Sequence, residues 1–368
     1  MKKHTSPKSS LVISRRRFIQ SAGVISGALA AGGFPYIAKA ADPIKVGAYG
    51  GYFKDSFDKH IFPGFTKATG IAVESVAEPT GEAWLVQLQT AARAGQAPAD
   101  VSMMAQVPML KGTKADLWVK MDEKKLPNLK NVLPRYRNHF SDNSLAGVGA
   151  VAWFITLVTN TKTYPNAPSS WGELWNPANK NRVGLMSMAT NSFLMEITAK
   201  TFFGGTKALD TQEGIEKVLK KLSEAKPNVK LWYRDEGQFE QALKSGEIPM
   251  GQYYHDVAGL AGADGFPVRT TFPKEGGVAD FGSWAISKAS KNVDRGLEFI
   301  NYMCQPEIQA TLSRKVGTAP VIQRGLTGLT ENEFNGVSSE IDPIIPRYDL
   351  YDKWGDWINQ KWTEMITG

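Results

Sequence analysis

The chain has 368 residues, 42% hydrophobic and 21% charged, with a formal net charge of +7; it is too long for one compact core, and its composition suits a folded protein. Lys2, Lys3, Lys8, Arg15, Arg16, Arg17 and Lys39, with no acidic residue among the first forty, account for the whole positive excess. From residue 41 onward the charges balance, so the basic character gives no support to a nucleic-acid surface.

In the leader, Ser14-Arg15-Arg16-Arg17-Phe18-Ile19-Gln20 precedes an uncharged apolar stretch over 22–37 and then Ala38-Lys39-Ala40. Adjacent arginines followed by Phe mark a twin-arginine export signal, and the small residues predict cleavage before Ala41. Downstream, 44–49, 71–76 and 100–104 read as strands, and 82–93 reads as an amphipathic helix. Gly147-Val148-Gly149 and Gly276-Gly277 read as breaks. Between them lie strands over 182–185, 229–233, 250–254 and 268–271 and helices over 213–226 and 238–244. A strand over 284–286 and helices over 292–303 and 307–315 follow. This alternation predicts parallel strands joined by crossover helices, in two α/β lobes.

Only one cysteine is present, so neither an intramolecular disulfide nor a thiolate metal cluster can form. Cys304 shares a helical face with Leu297 and Ile300, which predicts a buried, inert thiol. His60, His139 and His255 fall in no metal spacing. No G-x-S-x-G elbow, phosphate loop or dinucleotide fingerprint is found in a strand-to-helix context, so the expectation is no enzyme, no cofactor and no resident metal.

In open α/β sheets ligands meet the carboxyl ends of strands. After the first strand, Tyr49-Gly50-Gly51-Tyr52 places two aromatic faces around glycines whose N–H groups a ligand can approach closely. Such rings stack on apolar groups or hold a cation, at about 0.5–2 kcal/mol each; the alternative is a plain turn with two partly buried tyrosines. Thr190-Asn191-Ser192 either caps a helix or exposes a helix start that favours an anionic group. Trp171, Trp175, Trp354, Trp357 and Trp362 read as packing residues, whereas Trp153 and Trp284 are open between core and cleft floor.

Gly70-Ile71-Ala72-Val73, Asp100-Val101, Trp171-Gly172-Glu173-Leu174-Trp175-Asn176-Pro177, Leu243-Lys244-Ser245-Gly246-Glu247, Phe272-Pro273-Lys274-Glu275-Gly276-Gly277 and Asn301-Tyr302-Met303-Cys304-Gln305-Pro306 stand in an order that resembles the periplasmic substrate-binding proteins of ATP-driven importers. The resemblance is to the spermidine/putrescine-type branch. It implies the two-lobed periplasmic binding protein fold (type II): two hinged α/β domains, each with a central mixed sheet, and a ligand cleft between them. The chain would cross between lobes near 150–160 and 278–283. Residues 1–40 would form the signal peptide, 41–150 plus 281–330 the first lobe, and 151–280 plus 331–368 the second.

What the resemblance implies for function is a monomeric periplasmic receptor that passes a small-molecule solute to the membrane permease of an ABC importer, with no nucleic acid involved. The candidate ligand-binding residues are Tyr49, Gly50, Gly51, Tyr52, Gln106, Trp153, Thr190, Asn191, Tyr254, Asp256, Asp280 and Ser283. Tyr254 and Asp256 match positions where the family presents a ring and a polar neighbour. The pattern departs at Gly282, where the family has an aspartate, and over 188–193, which holds no acidic residue. Since a buried ammonium needs a partner, a small organic cation or a zwitterion fits better than a long polyamine. Tyr253-Tyr254 with His255, and His60 and Glu82 in the other lobe, leave ferric ion open as an alternative, as is a small organic anion.

Overall fold

The computed structural model describes residues 43–79 and 82–368; the leader with its export signal and the side chains of Tyr52 and Glu82 lie outside the described residues. The first β-branched run forms β1 (Ile44–Tyr49), which lies between parallel neighbours β2 (Val73–Glu78) and β3 (Val101–Ala105). The helix Glu82–Arg93 spans the crossover from β2 to β3 and buries Trp84, Leu85 and Leu88 at the four- and three-residue spacing its sequence displays.

A short β4 (Arg137–His139) precedes β5 (Leu145–Asn160), which runs through the glycines expected to break the chain. Those glycines answer to packing. A Cβ on Gly147 would come within 2.6 Å of Met109 Cε, and one on Gly149 within 2.8 Å of Tyr136 Cβ. In the second half β6 (Val183–Met186) lies between β7 (Val229–Tyr233) and β8 (Met250–Tyr254), all parallel. β9 (Val268–Thr271) pairs antiparallel with β5, and β10 (Val278–Ile286) pairs antiparallel with both β3 and β5.

Parallel crossovers therefore hold within each half, while β5 and β10 make the whole mixed, in the order β2-β1-β3-β10-β5-β8-β6-β7. Hydrogen bonding is continuous along this path, but the core is divided. Phe154 and Ala279 belong to the apolar cluster around β1 and β3, whereas their neighbours Ile155 and Val278 belong to the cluster around β6 and β8. These four residues form two adjacent rungs of the β5–β10 pairing, Ile155 opposite Val278 and Phe154 opposite Ala279.

The last helix, Tyr348–Thr367, packs on the second cluster through Leu350, Ile358 and Trp362, and Trp362 Nε1 donates to the Ser187 carbonyl at 2.7 Å. Trp171 is fully buried there as well, with Trp175, Trp354 and Trp357 packed against the cluster. Trp284 lies in the other core between Phe57 and Phe299, which removes it from the cleft floor. Cys304 is buried beside the helix Val293–Met303, where loss of solvent pushes its thiol up to about 12. Among the described residues no helix is long and apolar enough to cross a membrane.

Candidate functional site: an acidic, aromatic cavity at the strand ends

A cavity of about 860 Å³ opens where the carboxyl ends of five strands converge. Tyr49 closes β1; Ala105 closes β3 and Gln106 follows it; Thr190 and Asn191 follow β6; Glu236 follows β7; Tyr254 closes β8. Trp153 and Asp280 stand opposite each other on the β5–β10 rung next to the one where the two cores meet. Residues opposite each other in an antiparallel pair share a face, so ring and carboxyl enter the cavity side by side. The last helix, kinked at Trp354, closes the remaining side with Tyr348, Tyr351 and Asp352 before the kink and Gly355, Asp356 and Asn359 after it.

The Tyr348 hydroxyl donates to Asp280 Oδ1 at 2.5 Å, and the Phe281 amide donates to the same oxygen at 2.9 Å. Burial pushes the Asp280 carboxyl up to about 6, partly opposed by these two donors. Across the cavity the Tyr254 hydroxyl donates to Glu236 Oε1 at 3.0 Å. Desolvation raises the Glu236 carboxyl above its ordinary range against the pull of that hydrogen bond, with Asp235 and Asp256 adding repulsion. The Tyr49 hydroxyl is buried with no side-chain partner beside the Ala105 backbone, and burial, with Glu78 and Asp280 nearby, keeps it protonated against the pull of that backbone contact. Phe193, also in the lining, holds φ at 52°, an uncommon backbone state for a bulky residue, and its ring meets Tyr348 edge-on with centroids 6.1 Å apart.

Gln106 lines the cavity, but its amide is committed elsewhere. Nε2 donates to Ser283 Oγ at 3.0 Å and to the Phe281 carbonyl at 3.2 Å, while Oε1 accepts from Asn138 at 2.7 Å. Ser283 Oγ in turn donates to Asn138 Oδ1 at 2.6 Å and is fully buried, so it braces Gln106 from behind and does not line the cavity. Gly50 and Gly51 form the turn into the helix Tyr52–His60, with Gly51 at φ 71°, outside the lining. Asp256 sits in the first turn of the helix His255–Ala263, behind Tyr254 and Glu236, with a buried Oδ1 that has no partner.

Gly282 lies two residues beyond Asp280 on β10, so the two positions share a face. A Cβ there would stand 3.3 Å from Met103 Cγ and 3.7 Å from Trp153 Cζ3. Tyr253 is buried in the core of the second half, so only Tyr254 of the tyrosine pair reaches the cavity. His255 is bonded to Thr270 Oγ1 and the Asn335 carbonyl, and burial lowers its ring to about 4. Among the described residues no group of three or more His, Cys, Asp or Glu is placed to hold a metal ion.

Several residues of the lining were not anticipated, among them Glu236, Phe193, Tyr348, Tyr351, Asp352 and Asp356. Glu236 follows a strand as the others do, so the same rule pointed to it; Phe193, Tyr348 and Tyr351 carry no comparable local signal. With Glu236, Asp280, Asp352 and Asp356 against Lys111, the lining has an acidic excess and six aromatic rings. Carboxylates beside ring faces suit a desolvated cation.

Two half-sheets joined by crossing strands, with a closed-in cavity at their strand ends, define a binding protein for a small solute. Residues 61–324 match the family described as bacterial extracellular solute-binding protein, and the chain belongs to that family. It is 28% identical over 256 residues to the spermidine/putrescine-binding periplasmic protein of Salmonella typhimurium, covering 69% of this chain and 71% of that protein. It is 25% identical over 281 residues to the gamma-aminobutyric acid-binding protein of Pseudomonas aeruginosa, covering 74% and 75%. An ABC transporter substrate-binding protein from Bradyrhizobium japonicum has the same fold, with a TM-score of 0.74 at 22% identity over 88% of this chain and 99% of that one.

Proposed function

We propose that the protein is the periplasmic receptor of an ABC importer and that it captures a small solute bearing an ammonium group, held at Asp280. The observation that carries this reading is the Asp280–Tyr348 pair facing Trp153. A desolvated ammonium requires a carboxylate, and the Trp face adds cation–π attraction. Glu236 with Tyr254 offers a second such pair across the cavity. The relatives named for spermidine, putrescine and gamma-aminobutyric acid support an amine-bearing solute.

In this reading the lobes are 41–150 plus 281–330 and 151–280 plus 331–368. They close about the rungs Phe154–Ala279 and Ile155–Val278, where one core gives way to the other. The twin-arginine leader over 1–40 delivers the chain to the periplasm, and the loaded receptor hands its solute, chemically unaltered, to a membrane permease. Ligand stabilisation follows RT ln(1 + [L]/Kd), about 2.7 kcal/mol at a hundredfold excess over Kd. A thermal-shift panel of amines, amine-free carboxylates and ferric ion should show the largest upward shift with an amine. A larger shift with ferric ion or with an amine-free carboxylate overturns the assignment.

A further inference from the structure

We infer that the terminal helix Tyr348–Thr367 sets the charge selectivity of the cavity, favouring solutes with a second positive charge toward the cleft mouth and disfavouring those with a carboxylate there. This rests on the reading that places an ammonium at Asp280.

The side that this helix turns to the cavity is anchored at one end by the Tyr348 bond to Asp280. Asp352 lies one turn on, and Asp356 follows beyond a kink at Trp354, where φ −137° and ψ 24° leave the helical range. The two carboxylates differ in their partners. Asp352 forms an ion pair with Lys114, which comes across the cavity from the helix Gln106–Lys114. Asp356 is exposed to the cavity mouth and makes no ion pair among the described residues. Among the described residues Lys111, on the wall that carries Lys114, is the one cation in the lining, so the acidic excess remains.

The wall is held in place. The Arg347 amide donates to Glu196 Oε1 at 2.9 Å, and its guanidinium bonds Asp210 at 2.7 Å and Asp349 at 2.8 Å, which fixes the start of the helix. Trp362 secures the far end through Ser187. Inside a cleft, charge interactions are stronger than in bulk water, so a carboxylate near Asp356 is repelled and a second ammonium attracted.

The test is titration calorimetry of the full protein with butylamine, 4-aminobutyrate and spermidine, in the parent, Asp356→Asn and Asp356→Lys. In the parent, spermidine should bind most tightly and 4-aminobutyrate least, the reverse of the order expected from the missing acidic residues over 188–193 and at Gly282. The ratio of spermidine to 4-aminobutyrate affinity should fall roughly threefold to tenfold in Asp356→Asn and further in Asp356→Lys, with smaller changes at high salt. Amine binding with a ratio that neither variant moves overturns this inference alone, as does a parent that prefers 4-aminobutyrate to butylamine. Absence of binding by every amine instead sinks the Asp280 reading, and this inference with it.

Discussion

Two polar clusters lie three residues apart on β10 and behave in opposite ways. Around Ser283, the Gln106 amide, the Asn138 amide and the serine hydroxyl use one another as donors and acceptors, buried and without charge. Around Asp280, a carboxylate takes one phenol and one amide on a single oxygen, and its protonation is displaced by burial. Satisfied neutral networks rigidify a core, whereas a carboxylate buried without a counter-charge costs stability and is poised for a cation. The difference separates residues that shape the cavity from those that recognise its contents.

Replacing Asp280 by Asn tests that separation with the largest expected effect. Binding of an ammonium solute should weaken by about 2–5 kcal/mol, as for loss of one member of a buried charge pair. The ligand-free protein should move the other way. Its Asp280 titrates at about 6 against an ordinary 3.8, so between those values the native state keeps a proton that the unfolded chain has released, and stability falls as pH rises through the window. At pH 8 the penalty is fully present, and Asp280→Asn should raise stability by about 1–3 kcal/mol in urea denaturation. Affinity of the parent should drop about tenfold per unit as pH falls below about 6. A variant that loses stability and affinity together would make Asp280 a structural residue like Ser283.

Ser283→Ala probes the other cluster. It leaves Gln106 Nε2 and Asn138 Oδ1 each short of a partner in a buried site, at about 1–3 kcal/mol of stability. Solute affinity should change less than about threefold, well under a single buried hydrogen bond. Were affinity to fall more steeply than stability, Ser283 would belong with the recognising group and the contrast would collapse.

How much of this could be read from the chain depends on the range of the forces involved. Residues 44–49, 229–233, 250–254 and 268–271 and the helix over 82–93 announce themselves because alternation and helical spacing are local. The glycines of β5 mislead for the opposite reason, since they respond to Met109 and Tyr136, which the sequence places far away. In the site, the rule about strand ends finds Tyr49, Thr190, Asn191 and Tyr254, and applied after β7 it also reaches Glu236. It cannot separate Glu236 from Asp256, because both open helices and only packing decides which carboxyl enters the cavity. Tyr348 stands 68 residues from the carboxylate it bonds, with no periodicity to connect them.

The second acid–phenol pair sharpens the comparison with a smaller effect. In Tyr254→Phe the ring stays and the hydrogen bond to Glu236 goes, so ammonium binding should weaken by about 0.5–1.5 kcal/mol, whereas Tyr254→Ala should lose about 1–3 kcal/mol with the ring. The hydroxyl favours the ionised form of Glu236, so removing it raises a carboxyl that burial has already raised. The deficit of the Phe variant should therefore grow as pH falls, because a neutral Glu236 no longer attracts a cation. Calorimetry of both variants at two pH values separates ring from hydroxyl: equal losses in Phe and Ala would assign the whole effect to the hydrogen bond, and a pH-independent deficit would detach Glu236 from recognition and leave Asp280 as the sole anchor.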